Sequence, residues 1–164
     1  MADASWQLAA SVAAAAVAAH ACVYSKVKRE RAKLTRLSWQ QPAELAVIRM
    51  PEDAPWPPAP ASGFYSVTRA PGETSIVMDA AAAASHKFDA SAGVKVETGW
   101  AMFKLEGPLD FSLIGILSQI ATVLALEGIS IFAISTYDTD WVLIKEEKKK
   151  KATKALAGAG YMWI

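Results

Sequence analysis

The sequence predicts an α+β fold preceded by a separate N-terminal hydrophobic helix, and three observations carry that expectation. Residues 97–147 read as strand, helix, strand, strand, with a turn signal at each junction. Upstream, short β-branched runs flank a crossing with five prolines between Pro51 and Pro60, a density that cannot sustain a helix. At the start of the chain, Ala4–Ser25 carries no charge. Lys26, Lys28, Arg29, Arg31, Lys33 and Arg36 follow it, with Glu30 as the only acid among them.

The N-terminal stretch is long enough to span a bilayer, which takes about 20 residues. It is mostly alanine, which contributes little transfer energy, and Gln7 and His20 weaken it further. Such a helix is marginal alone and gains from close packing of small residues against other helices. A retained membrane anchor, a cleaved targeting peptide and an alanine-rich helix away from lipid all fit the composition. As an anchor, it places the basic flank and the globular part together on the cytoplasmic-like, stromal or matrix side. Trp6 and Trp39 bracket the segment and can sit at the two interfaces.

Further along, Leu45–Arg49 reads as a strand, and Phe64–Arg69 with Thr74–Met78 as a hairpin joined at Ala70-Pro71-Gly72-Glu73. Asp79–Ser85 is a short helix and Val94–Glu97 a strand. Trp100–Glu106 is an apolar strand ending at Gly107-Pro108, and Glu97–Leu105 is expected as one long strand or two abutting strands. Asp110 or Ser112 can cap a helix that stops at Gly128. That helix is two-faced, with Leu113, Ile116, Leu117, Ile120, Val123 and Leu124 on one side, so it lies on a sheet rather than in lipid. Ile129–Thr136 and Trp141–Lys145 form an antiparallel pair around Asp138-Thr139-Asp140. Lys148–Leu156 closes as a helix, and Tyr161–Ile164 remains for a last strand.

The blocks WAMFKLEGPLDFSLIGIL, EGISIFAISTYDTDWVLIKEE and KALAGAGY, in that order, resemble the ACT fold. Within it they are similar to tandem ACT proteins of the CASTOR-like, aspartokinase-type family. AVIRMPEDAPWPPAPASGFYSVTRAPGETSIV resembles the first half of the same pattern, so the resemblance covers residues 43–164. It implies two ferredoxin-like βαββαβ units side by side. The expected division is 1–37 for the hydrophobic helix and basic flank, 38–97 for a degenerate first unit and 98–164 for the second.

The resemblance also implies an amino acid ligand at the loop after the first strand of a unit. Here that loop holds Gly107, Pro108, Asp110, Phe111 and Ser112. Amides at a helix N-terminus suit a carboxylate. Asp138 or Asp140 suits an ammonium or guanidinium group, and Gly128 and Ile129 are expected at the facing edge. Each of these residues also has a purely structural reading: Gly107 and Pro108 shape a turn, Asp110 and Ser112 cap, and Asp138 and Asp140 form a hairpin corner.

Little in the sequence supports catalysis. His20 and His86 have no ligating neighbours at metal spacing, no phosphate-binding glycine loop follows a strand, and Cys22 has no partner for a disulfide. No enzyme activity and no cofactor or metal are expected. Residues 38–164 hold 11 Lys/Arg and 14 Asp/Glu, net −3, which argues against nucleic acid as a partner. The Lys148–Lys151 run reads as a solvated helix face or as a contact for anionic lipid or an acidic partner. Two functions follow: a membrane-tethered, amino-acid-binding regulatory module, or a structural accessory subunit of a membrane complex that docks through the same fold.

Overall fold

A computed structural model describes residues 35–40 and 44–164, together with Ala15, Ala18 and Ala19. The expected membrane helix and the basic residues 26–34 therefore lie outside the described residues, apart from those three alanines. Among the described residues, no helix is long and apolar enough to cross a membrane.

The strands are β1 (Arg36–Trp39), β2 (Leu45–Met50), β3 (Tyr65–Ala70), β4 (Glu73–Asp79), β5 (Lys95–Leu105), β6 (Phe132–Ser135), β7 (Asp140–Lys145) and β8 (Met162–Trp163). The helices are α1 (Ala80–Ser85), α2 (Ile116–Leu126) and α3 (Lys149–Gly158). All strands join one sheet. β3, β4, β2 and the first half of β5 pair antiparallel in that order. The second half of β5 has β1 on one edge and β7 on the other, with β6 outside β7. β8 runs parallel to β1, Arg36 facing Met162.

β5 serves both halves of the sheet because it contains a bulge. Leu45 faces Trp100 while Val47 faces Glu97, so two residues of β2 span three of β5. Gly99 takes up the extra residue at φ 79°, a conformation that disfavours any side chain, and its N–H donates to Glu44 Oε1 at 2.9 Å. The sequence leaves one long strand or two abutting strands open here; the structure has one strand, and the position 97/98 falls inside it.

The second half of β5 carries the apolar run Trp100–Phe103 because both of its faces are covered there. Phe103 and Leu105 meet Leu37, Val142 and Ile144 under Ile120, Leu124, Ala152 and Leu156 of α2 and α3. Met102 and Trp100 point the other way, into a cluster with Leu45, Val77 and Leu143, flanked by Phe64, Phe132 and Trp141. A third cluster in the first half joins Ile48, Met50, Ile76 and Met78 to Ala83 of α1. Asp79 caps α1 by accepting from the amides of Ala81 and Ala82, so the short helix expected over Asp79–Ser85 begins one residue later.

β1 has no counterpart in the sequence reading, which assigns Arg36 and Leu37 to the basic flank. Leu37 is fully buried. The Trp39 ring stacks on Trp163 at 4.9 Å, and its Nε1 donates to Thr153 Oγ1 at 3.2 Å.

Tyr161, buried just before β8, has its phenol pKa pushed up from 10.0 to about 12 by desolvation. The folded state therefore holds this proton more tightly than the unfolded state. Its contribution is complete below pH 10 and is lost as pH rises toward 12. Chemical denaturation at several alkaline pH values is expected to show this decline, and Tyr161→Phe is expected to flatten it.

Candidate functional site

The chain leaves β5 through Glu106 and Gly107 and is tied at once to the turn between β6 and β7. Leu109 N–H donates to the Asp138 carbonyl at 2.8 Å, and the Thr139 hydroxyl donates to the Leu105 carbonyl. Gly107 allows this approach. A Cβ there would lie 2.6 Å from the Asp138 carbonyl oxygen, well inside any tolerable contact. The turn itself is closed by Thr136, whose N–H and hydroxyl both donate to the Thr139 carbonyl at 2.8 Å.

The helix after this loop starts later than the sequence predicts. Asp110 Oδ1 accepts from Ser112 N–H at 2.8 Å, and Leu113 N–H donates to the Asp110 carbonyl at 2.9 Å, which makes a local turn instead of a cap. The hydrogen bonds from the Ser112 side chain and then its backbone lower the pKa of Asp110. α2 begins only after Gly115, left-handed at φ 81°, with no side-chain cap. Its first-turn amides have no acceptor within the helix.

Between this loop and the β6–β7 turn lies a groove. One cavity of about 370 Å³ runs between Asp110, Phe111 and the first turn of α2 on one wall and Ser135, Thr136, Tyr137, Thr139 and Asp140 on the other. An adjoining space of about 410 Å³ reaches Pro108 and Asp138. Asp140 is oriented by the Ser135 hydroxyl, which donates to its Oδ1 at 2.5 Å. Phe111 and Tyr137, 76% and 80% exposed, meet edge to face across the mouth at 5.2 Å. Among the described residues, three carboxylates and no lysine, arginine or histidine line the two spaces. The groove therefore favours a positive charge at its turn side, with helix amides opposite.

Of the expected site residues, Pro108, Asp110, Phe111, Asp138 and Asp140 line this groove, and Gly107 holds its two walls together. Ser112 sits behind the wall, orienting Asp110. Gly128 and Ile129 are elsewhere. They close the far end of α2, about 16 Å away for 11 helical residues, with Ile129 N–H donating to Leu124 and its side chain in the core. Sequence reasoning placed Leu109 in the candidate loop but missed Tyr137 and Ser135. An aromatic residue in an otherwise polar turn, STYDTD, was the one available signal for Tyr137. Among the described residues, no group of three His, Cys, Asp or Glu could hold a metal ion.

The order β5-α2-β6-β7-α3-β8, with both helices packed on one sheet face, defines a ferredoxin-like α+β domain. Residues 95–158 match the family model for the ACT domain. Over 94 residues the chain is 37% identical to the human "Cytosolic arginine sensor for mTORC1 subunit 1", covering 55% of this chain and 28% of that protein. It thus spans little more than a quarter of the length of the curated relatives it matches. Among solved structures, protein Atu0741 from Agrobacterium tumefaciens superposes with a TM-score of 0.68 at 30% identity, covering 79% of this chain and 92% of that one. The aspartokinase alpha and beta subunits share the fold, with a TM-score of 0.54 at 16% identity, over 75% of this chain and 95% of theirs. Residues 95–158 are thus an ACT domain.

Proposed function

We propose that the chain is a non-catalytic regulatory module that binds an amino acid with a cationic side chain in the groove between the β5–α2 loop and the β6–β7 turn. The observation that carries this reading is the lining: helix amides and Asp110 on one wall, Asp138 and Asp140 on the other, and no basic side chain among the described residues. The ligand carboxylate lies at the amides of Ile116 and Leu117, and its side-chain cation lies near Asp140 and Asp138. The curated relatives named as arginine sensors make L-arginine the first ligand to test. Calorimetry of the full chain with L-arginine and with the other amino acids tests the reading directly. Asp140→Asn removes a charge-assisted hydrogen bond of about 1.5–3 kcal/mol, so affinity is expected to fall at least tenfold while the fold survives. Absence of binding at millimolar concentrations, with no thermal shift, overturns the sensor reading.

The uncharged Ala4–Ser25 and the basic residues after it support a membrane tether, with the domain on the basic-flank side. Carbonate extraction that releases the full chain overturns it. The second reading, a structural accessory subunit, draws on exposed Leu126 and Ile164, large apolar side chains outside the groove and suited to a protein contact. Recovery of the chain in a stable membrane assembly, with arginine-independent binding, favours that reading over the sensor.

A further inference from the structure

We propose that the basic segment ahead of β1, residues 26–34, docks across the acidic groove and competes there with the ligand. This rests on the groove being the binding site. Three observations point to this occupant.

The first is where the segment ends. The Arg36 carbonyl accepts from Glu106 N–H at 2.9 Å, so the chain enters β1 beside the residue that leads into the groove-forming loop. Seven residues, 28–34, reach about 23 Å when extended, enough to cross the groove mouth. The second is charge. Asp110, Asp138 and Asp140 line the two adjoining spaces, with no basic side chain beside them among the described residues. The segment KVKRERAKL brings Lys26, Lys28, Arg29, Arg31 and Lys33 against the single acid Glu30. The third is the surface at the mouth. Phe111 and Tyr137 present two largely exposed rings, which attract a guanidinium through their faces, and Leu109, Leu113 and Ile116 provide apolar wall for Val27 or Leu34.

Docking makes the segment an internal competitor: it supplies the same cationic group that the groove selects in a ligand. Ligand affinity of the full chain is then set by the displacement of its own residues, and anything that draws the basic segment away raises that affinity.

The test compares the full chain with the triple variant Arg29→Gln, Arg31→Gln, Lys33→Gln, whose changes precede β1 in the sequence. Hydrogen exchange of peptides covering 107–118 and 134–141 is expected to be at least threefold faster in the variant. The wild type is expected to reach the same rates in ~1 M salt, where the screening length is about 3 Å. Carbodiimide coupling of the wild type is expected to join Lys28 or Lys33 to Asp110, Asp138 or Asp140 in preference to Glu127 or Glu147. L-arginine is expected to bind the variant at least fivefold more tightly. Equal exchange in the two proteins, or coupling without preference for the groove acids, overturns the proposal. Exchange and coupling need no ligand, so they decide it even if arginine binds neither protein, a result that counts against the ligand reading alone.

Discussion

Deleting residues 1–39 is expected to leave a chain that no longer folds cooperatively, whereas deleting residues 1–34 leaves the sheet intact. β1 is only four residues long, but it completes two ladders at once, antiparallel with β5 and parallel with β8. Leu37 is fully buried among Phe103, Leu105 and the residues of α3, and Trp39 stacks on Trp163. Removal of the Leu37 side chain alone, as Leu37→Ala, is expected to cost about 2–5 kcal/mol. That is a large share of the roughly 5–15 kcal/mol by which a domain is stable. Losing the whole strand also leaves backbone groups of β5 unpaired and β8 without a neighbour. Circular dichroism melts of the two truncations and of Leu37→Ala check this. Similar melting temperatures for the 1–34 and 1–39 deletions would show that β1 contributes nothing.

Gly107→Val is expected to abolish ligand binding while most of the sheet survives. The added Cβ meets the Asp138 carbonyl at 2.6 Å, and Thr139 Cβ stands only 3.4 Å away. These are backbone and buried atoms that cannot rotate aside, so the loop must move off the turn. The hydrogen bond from Leu109 to Asp138 is lost with it, and the two walls of the groove separate. Gly107→Ala adds the same Cβ and is expected to weaken binding in the same direction. Calorimetry with L-arginine, beside a circular dichroism spectrum for retained secondary structure, measures both. Unaltered affinity in Gly107→Val would remove the 107–112 loop from the site.

Most of the elements were legible because their signals are local. The hairpin β3–β4 was read from a proline-glycine turn between β-branched runs, α1 from Asp79, and β7 from an apolar run after a polar corner. One local signal misled. Asp110 and Ser112 look like helix caps, but the Asp110 carboxylate is already used by Ser112 within the loop, and Gly115 sets the helix start. Between one long strand and two abutting strands at 97–105 the sequence did not choose; the structure has one, with Gly99 bulged inside it. Of the candidate site, the loop and the aspartates could be read from the chain. Gly128 and Ile129 could not be ruled out, because a turn residue carries no mark of which end of a helix faces a groove.

By itself, then, the sequence determined the α+β class, the place of the loop after β5, the acidic character of residues 38–164 and the basic character of the segment before them. These follow from side-chain periodicity, turn chemistry and charge, all properties of neighbours along the chain. Only the tertiary structure decided that Arg36–Trp39 is a strand wedged between β5 and β8. Only it brought Tyr137 and Asp140 across from Phe111, and made Gly107 a point of backbone contact with Asp138. Four residues carry too little local preference to declare a strand. Their partners lie more than 60 residues away, and such pairing has its energy in the ladder and the buried Leu37, neither of which exists until the sheet closes.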